Sequence, residues 1–160
     1  MATPLRINLH PAIPIAGVGY DTWPLILGHT VHGTTAHFLT HEIDSGRIIN
    51  VMDRPLSADA TYADLRIANQ ELQLRQLFWL CQLLAECSDT DEAMSRLEAE
   101  TEECGREWSP RTYVSISGRE SQLEGLRRSN PGHRVFMGLS TQPNLKALPD
   151  SINLPSGTTL

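Results

Sequence analysis

The chain has 160 residues, 40% of them hydrophobic and 20% charged, a length and balance that suit one water-exposed globular domain with a single core. No apolar run approaches the roughly 20 residues of a membrane span, and Arg6, Asn8 and His10 interrupt any secretory signal before it forms, so the cytosol is the default compartment. A formal charge of −6 and a pI near 5.4 argue against a phosphate-backbone partner. The three cysteines, Cys81, Cys87 and Cys104, are odd in number and lack C-x-x-C spacing, so neither a disulfide framework nor a cysteine-rich zinc site is expected.

In chain order, Leu5 to Leu9 reads as a short buried strand running into a loop punctuated by Pro11, Pro14, Gly17 and Gly19. Asp21 caps a short helix in which Pro24 falls in the first turn and Gly28 ends the run. Two strands follow, Gly33 to Leu39 and Arg47 to Met52, joined by the turn "THEIDSG". From Thr61 the period changes. Thr61 and Asp64 make an approximate capping box, and Leu65, Ala68, Leu72, Phe78, Cys81 and Leu84 recur at helical spacing to about Glu86, which predicts a helix lying across one face of the sheet. Ser88 or Asp89 caps a further acidic helix through Glu103, stopped by Gly105, whose stretch Glu98 to Glu107 reads as a solvated face. One more helix is expected over Arg119 to Arg128, and the Pro-, Ser- and Asn-rich stretch from Thr141 reads as a loose tail.

The chemistry-bearing residues crowd the first fifty positions. Asn8 and His10 straddle Leu9, so an extended strand points both to one side, and Asp44 lies in the turn after the neighbouring strand. If the strands are adjacent, an amide, an imidazole and a carboxylate converge. His29, His32, His37 and His41 invite a metal reading, but they span loop, strand and turn and contain no H-E-x-x-H, so no metal site is expected; His37 reads equally well as a core histidine. Gly17 and Gly19 lack the rest of a dinucleotide fingerprint, and Phe78, Trp79 and Leu80 read as a packing face.

"INLHPAIP" with its glycine-containing loop, followed by "HGTTAHFLTHEIDSGRII", resembles the formyltransferase domain shared by glycinamide ribonucleotide, methionyl-tRNA and sugar N-formyltransferases, over about Arg6 to Pro55. The family pattern is approximately N-x-H-P-S-x-L-P, then G-x-T-x-H-F and D-x-G-x-I. The resemblance implies an α/β fold: the C-terminal part of a Rossmann-like domain, with a short mixed sheet covered by a long helix. It gives residues 1–87 as a partial catalytic domain, 88–140 as a helical extension and 141–160 as a flexible tail. It puts Asn8, His10 and Asp44 at the catalytic positions, His37 at the G-x-T-x-H-F histidine, and the backbone of Thr40 and His41 opposite the pterin of a 10-formyltetrahydrofolate donor. The implied activity is formyl transfer to the amine of a small-molecule acceptor, or hydrolysis of the same donor with water as nucleophile.

Two departures stand out. "HPAIP" is one residue shorter than the usual form, with Ala12 where serine is common. The family's domain also begins with a βαβ half that would precede Arg6, so the resemblance implies a fragment, a partner chain or second copy supplying that half, or a pared-down non-catalytic domain. A strand deprived of its neighbours leaves an exposed edge, which lowers stability or favours association.

Overall fold

The computed structural model describes residues 5–14, 23–109 and 116–137. Three strands, β1 (Ile7–His10), β2 (Val31–Phe38) and β3 (Ile48–Pro55), form a sheet in the order β1-β2-β3. Both pairings are antiparallel, with Asn8 opposite His37 and His10 opposite Thr35 in one, and Thr35 opposite Val51 in the other. The architecture is α/β, as expected, but among the described strands the sheet is antiparallel rather than mixed. The nine residues between β2 and β3 are too few for the crossover that a parallel pair requires.

The helix α1 (Trp23–Ile26) carries Pro24 in its first turn and stops at Gly28, whose φ of +68° is open to glycine without penalty. Asp21, expected to cap it, lies outside the described residues, as do Gly17, Gly19 and the tail from Thr141. The longest element is α2 (Tyr62–Ala85), opened by the capping box that the sequence predicts. Thr61 Oγ1 accepts from the Asp64 backbone N–H at 3.3 Å, while Asp64 Oδ2 accepts from the Thr61 N–H at 2.9 Å and from its hydroxyl at 2.6 Å. α3 (Thr90–Cys104) starts at Asp89 and ends on Gly105 with φ +56°; α4 (Ile116–Ser129) is longer than expected at both ends. A 3-10 turn at Arg134–Phe136, absent from the sequence reading, buries Val135 against Leu25, Leu56 and Leu65. No helix among the described residues is long and apolar enough to cross a membrane.

The face of α2 that meets the sheet is the expected one at Leu65, Ala68 and Leu72 and departs from it at Phe78 and Cys81. Its buried residues are Leu65, Ala68, Asn69, Leu72, Gln76 and Leu80, whereas Phe78 is 60% exposed and Cys81 is also exposed. Apolar residues fall on two opposed sides of this helix, the outer one carrying Ile67, Leu74 and Phe78, so periodicity does not choose between them. Side-chain amides mark the side the sheet takes. Asn69 Nδ2 donates to the Pro11 carbonyl at 3.1 Å, Gln73 Nε2 to Leu9 at 2.9 Å and Gln76 Nε2 to Asn50 at 3.2 Å. The Leu9 contact has a further effect: the Leu39 N–H bonds to the Arg6 carbonyl, so by alternation Leu9 turns its carbonyl to the side of β1 away from β2, unpaired by any other described strand, where Gln73 caps it.

Below the sheet, Ala36, Ile49, Leu80 and Leu97 form a core against which Ile7, Leu9 and Phe38 pack. This apolar face leaves the alternate residues of β1 and β2, Asn8, His10, Thr35 and His37, on the other side.

The capping box makes a separate prediction. Hydrogen bonds from the Thr61 hydroxyl and then its backbone N–H hold the Asp64 carboxyl below the ordinary aspartate range. The folded-state value is depressed, so this contribution is complete above the unfolded value and disappears as pH falls through the folded one. Thr61→Ala should cost about 1 kcal/mol at neutral pH and should flatten the acid limb of a melting-temperature profile. An unchanged acid limb in the variant would show that the Thr61 hydroxyl contributes nothing to it.

Candidate active site

The site is assembled from the polar face of β1 and β2 and from the turn that joins β2 to β3. Asn8 and His10 are two residues apart on β1, and His37 stands directly across from Asn8 on β2. Next to His37 the pairing slips: Ala36 faces Asn50 while His37 faces Ile48, so Ile49 is an extra residue and the strand bends there.

Asp44 enters from the turn with φ of +47°, the left-handed region, which aspartate tolerates better than most residues. The turn is held on its far side by Thr40 Oγ1, which donates to the Glu42 carbonyl at 3.0 Å and lies 2.6 Å from Ser45 Oγ. Ser45 Oγ also donates to the Glu42 carbonyl, at 3.1 Å. Gly46 passes so close to β2 that a Cβ there would sit 1.6 Å from the Phe38 carbonyl oxygen.

With the turn so placed, the Asp44 carboxylate reaches two side chains of β1. Asn8 Nδ2 donates to Oδ1 at 3.3 Å, and His10 Nδ1 stands 3.4 Å from Oδ2. His37 completes the set. Its Nδ1 lies 3.0 Å from the Phe38 carbonyl, which can only accept, so Nδ1 carries the proton. Nε2 is then the acceptor for the second N–H of Asn8, at 3.1 Å, and its 3.5 Å approach to Asp44 Oδ1 is not itself a hydrogen bond. The Asn8 amide thus gives one proton to His37 and the other to Asp44. His37 is 1% exposed, while His10 and Asp44 keep 13% and 14%. The pair at the rim is accessible and the residue behind it is not.

Thr40 and His41 lie outside this cluster. The Thr40 side chain is engaged in holding the turn, and His41 is 92% exposed, 3.8 Å from Glu42. Of the remaining histidines, His32 is buried on the opposite face, with Nδ1 2.9 Å from Asn69 Oδ1 and Nε2 accepting from Arg54 Nε at 3.2 Å. Two surface hollows, of about 350 and 290 Å³, lie between α2 and α3 and against β3, and no residue of the cluster lines either.

Trp108 is a neighbour of the cluster that sequence reasoning missed. Its ring stands edge-on to His37 at 5.1 Å and to His10 at 5.8 Å, and its Nε1–H donates to the Gly46 carbonyl at 2.7 Å. A lone tryptophan four residues beyond α3 carries no spacing signal toward a strand some seventy residues earlier.

No family model matches the chain, and neither does any curated protein. Among solved structures, an N-formyltransferase from Helicobacter canadensis in complex with folinic acid and dTDP-3-aminofucose aligns at 23% identity and a TM-score of 0.42, over 60% of this chain and 32% of its own. A formyltetrahydrofolate deformylase from Pseudomonas syringae pv. tomato aligns at 23% identity and 0.40, over 42% and 23%. Glycinamide ribonucleotide transformylase 1 from Symbiobacterium toebii aligns at 26% and 0.35, over 59% and 37%. The chain therefore spans less than two fifths of the length of each. These neighbours are formyltransferases and a formyltetrahydrofolate deformylase, enzymes of the class whose motifs the sequence resembles.

Proposed function

We propose that this chain carries the reacting centre of a formyltransferase-type domain, in which Asn8, His10 and Asp44 act on a formyl group delivered by 10-formyltetrahydrofolate and pass it to the amine of a small-molecule acceptor. Residues 1–87 would be the partial catalytic domain and 88–140 its helical extension. The observation that supports this most directly is the Asp44 carboxylate lying within 3.4 Å of both the Asn8 amide and the His10 imidazole on one face of the sheet.

The side-chain chemistry fits such a donor. When bound, the donor supplies an electrophilic formyl carbon whose oxygen becomes negative as the amine nitrogen adds. N–H groups are needed at that oxygen, and Asn8 and His10 bring them from adjacent same-face positions of β1. Both Asn8 protons already have acceptors, so the oxygen binds by taking the place of one of them. Asp44 Oδ1, at 3.3 Å, is the longer contact and the accessible one. With His10 Nδ1 toward Asp44, the ring nitrogen that meets the oxygen is Nε2, which donates only in the imidazolium form. Asp44 balances that charge and takes the proton released by the amine, which then passes to N10 of the donor as the carbon–nitrogen bond breaks. The backbone of Thr40 and His41, beside this turn, is the surface offered to the donor's ring. The net charge of −6 disfavours a tRNA acceptor and favours a small amine.

Calorimetric titration of the full chain with 5-formyltetrahydrofolate tests the reading. Saturable binding that weakens about tenfold in Asn8→Ala is the expected result. A folded chain indifferent to the folate would instead make it a non-catalytic remnant of the domain. Release of tetrahydrofolate from 10-formyltetrahydrofolate without any amine present would assign hydrolysis rather than transfer.

A further inference from the structure

The carboxylate of the cluster sits on a turn with a strained backbone. Asp44 holds φ at +47°, and a non-glycine residue persists there only when its surroundings oppose relaxation. On one side of the turn the Thr40, Ser45 and Glu42 contacts supply that opposition. On the other side stands Trp108, whose 2.7 Å bond ends on the carbonyl of Gly46, two residues from Asp44.

We propose that Trp108 is a positioning residue of this site, acting through the Gly46 carbonyl to hold the Asp44 carboxylate against Asn8 and His10 while its ring fixes the planes of the two imidazoles. Three features of the chain converge on that role. The indole lies edge-on to both His10 and His37, with interplanar angles of 75° and 85°, so rotation of either imidazole would meet the indole. The adjoining Ser109 N–H bonds to the Pro14 carbonyl at 3.1 Å, tying the same segment to the loop that leaves β1. Thr35 Oγ1, from beneath, donates to the Ala12 carbonyl of that loop at 2.6 Å. Trp108 therefore stands where the exit of β1 and the Asp44 turn are joined. Gly105, in its left-handed cap, ends α3 and redirects the backbone toward this position.

The proposal rests on the cluster being the reacting centre, but its test needs no folate. Nitrogen-15 NMR of the full chain would follow the Asn8 side-chain amide and the His37 imidazole in wild type, Trp108→Phe and Trp108→Ala. Phenylalanine keeps an aromatic ring at the site and removes the N–H. If the tether positions Asp44, the Asn8 amide protons of Trp108→Phe should exchange roughly two- to tenfold faster than in wild type, the range one hydrogen bond supplies, with their shifts moved toward those of an unconstrained amide. Trp108→Ala should go further and also disturb the His37 nitrogen pattern. Wild-type Asn8 and His37 signals in a folded Trp108→Phe would overturn the proposal. Should neither variant fold, the unsubstituted protein decides: the Trp108 indole N–H is expected to be protected from exchange, and exchange at the rate of a free indole would overturn the proposal equally. Loss of folate binding with these NMR signatures intact would count against the proposed function alone.

Discussion

Asp44→Asn is expected to lower kcat for formyl release or transfer by about 10²- to 10⁴-fold with little change in melting temperature. Asparagine has the same shape and accepts a left-handed φ at least as readily, so the turn survives. Its carbonyl oxygen can still accept from Asn8 Nδ2, which keeps that side of the cluster intact. The group then facing His10 Nδ1 is an NH₂, a donor against a donor, where the carboxylate had stood at 3.4 Å. In the proposed mechanism His10 thereby loses its orienting partner and its counter-charge. Parallel thermal melts and tetrahydrofolate-release assays check this. A variant that melts like wild type and turns over like wild type would remove Asp44 from the mechanism; one that melts far lower would make the carboxylate a structural element first.

Gly46→Ala is expected to be severely damaging, costing about 3 kcal/mol of stability. The added Cβ would lie 1.6 Å from the Phe38 carbonyl oxygen, and its neighbour is backbone, with no flexible side chain to yield. The turn would have to lift away from β2, breaking the Phe38 N–H bond to the Arg47 carbonyl at 3.0 Å and the Trp108 bond to Gly46. Asp44 would move with it, so the stability loss should come with loss of the Asn8 and His10 contacts. Chemical denaturation gives the first effect and the histidine NMR spectrum the second. Gly125→Ala is the control: a Cβ there meets nothing within 4 Å, and helix propensity favours alanine. Equal behaviour of the two variants would show that the close approach at Gly46 does not govern the turn.

Much of this protein was legible one segment at a time. The Thr61 box, the stop at Gly105, the strand that presents Asn8 and His10 to one side, and the turn carrying Asp44 all follow from bonds and periods that close within a few residues. The sequence pattern also named the three residues that the fold draws together. What it could not choose was which of two apolar sides of α2 the sheet would take. Asn69, Gln73 and Gln76 settle that by reaching carbonyls on Pro11, Leu9 and Asn50, partners between 26 and 64 residues away. Nor could it reveal the wholly antiparallel pairing of the described strands, the return of Val135 to the core beside Leu25, or the approach of Trp108 to His10 and His37. The local period of a chain records which face is apolar and where a helix begins. Contacts between distant segments depend on which faces find complementary groups once the chain is compact, and only the tertiary structure decides that.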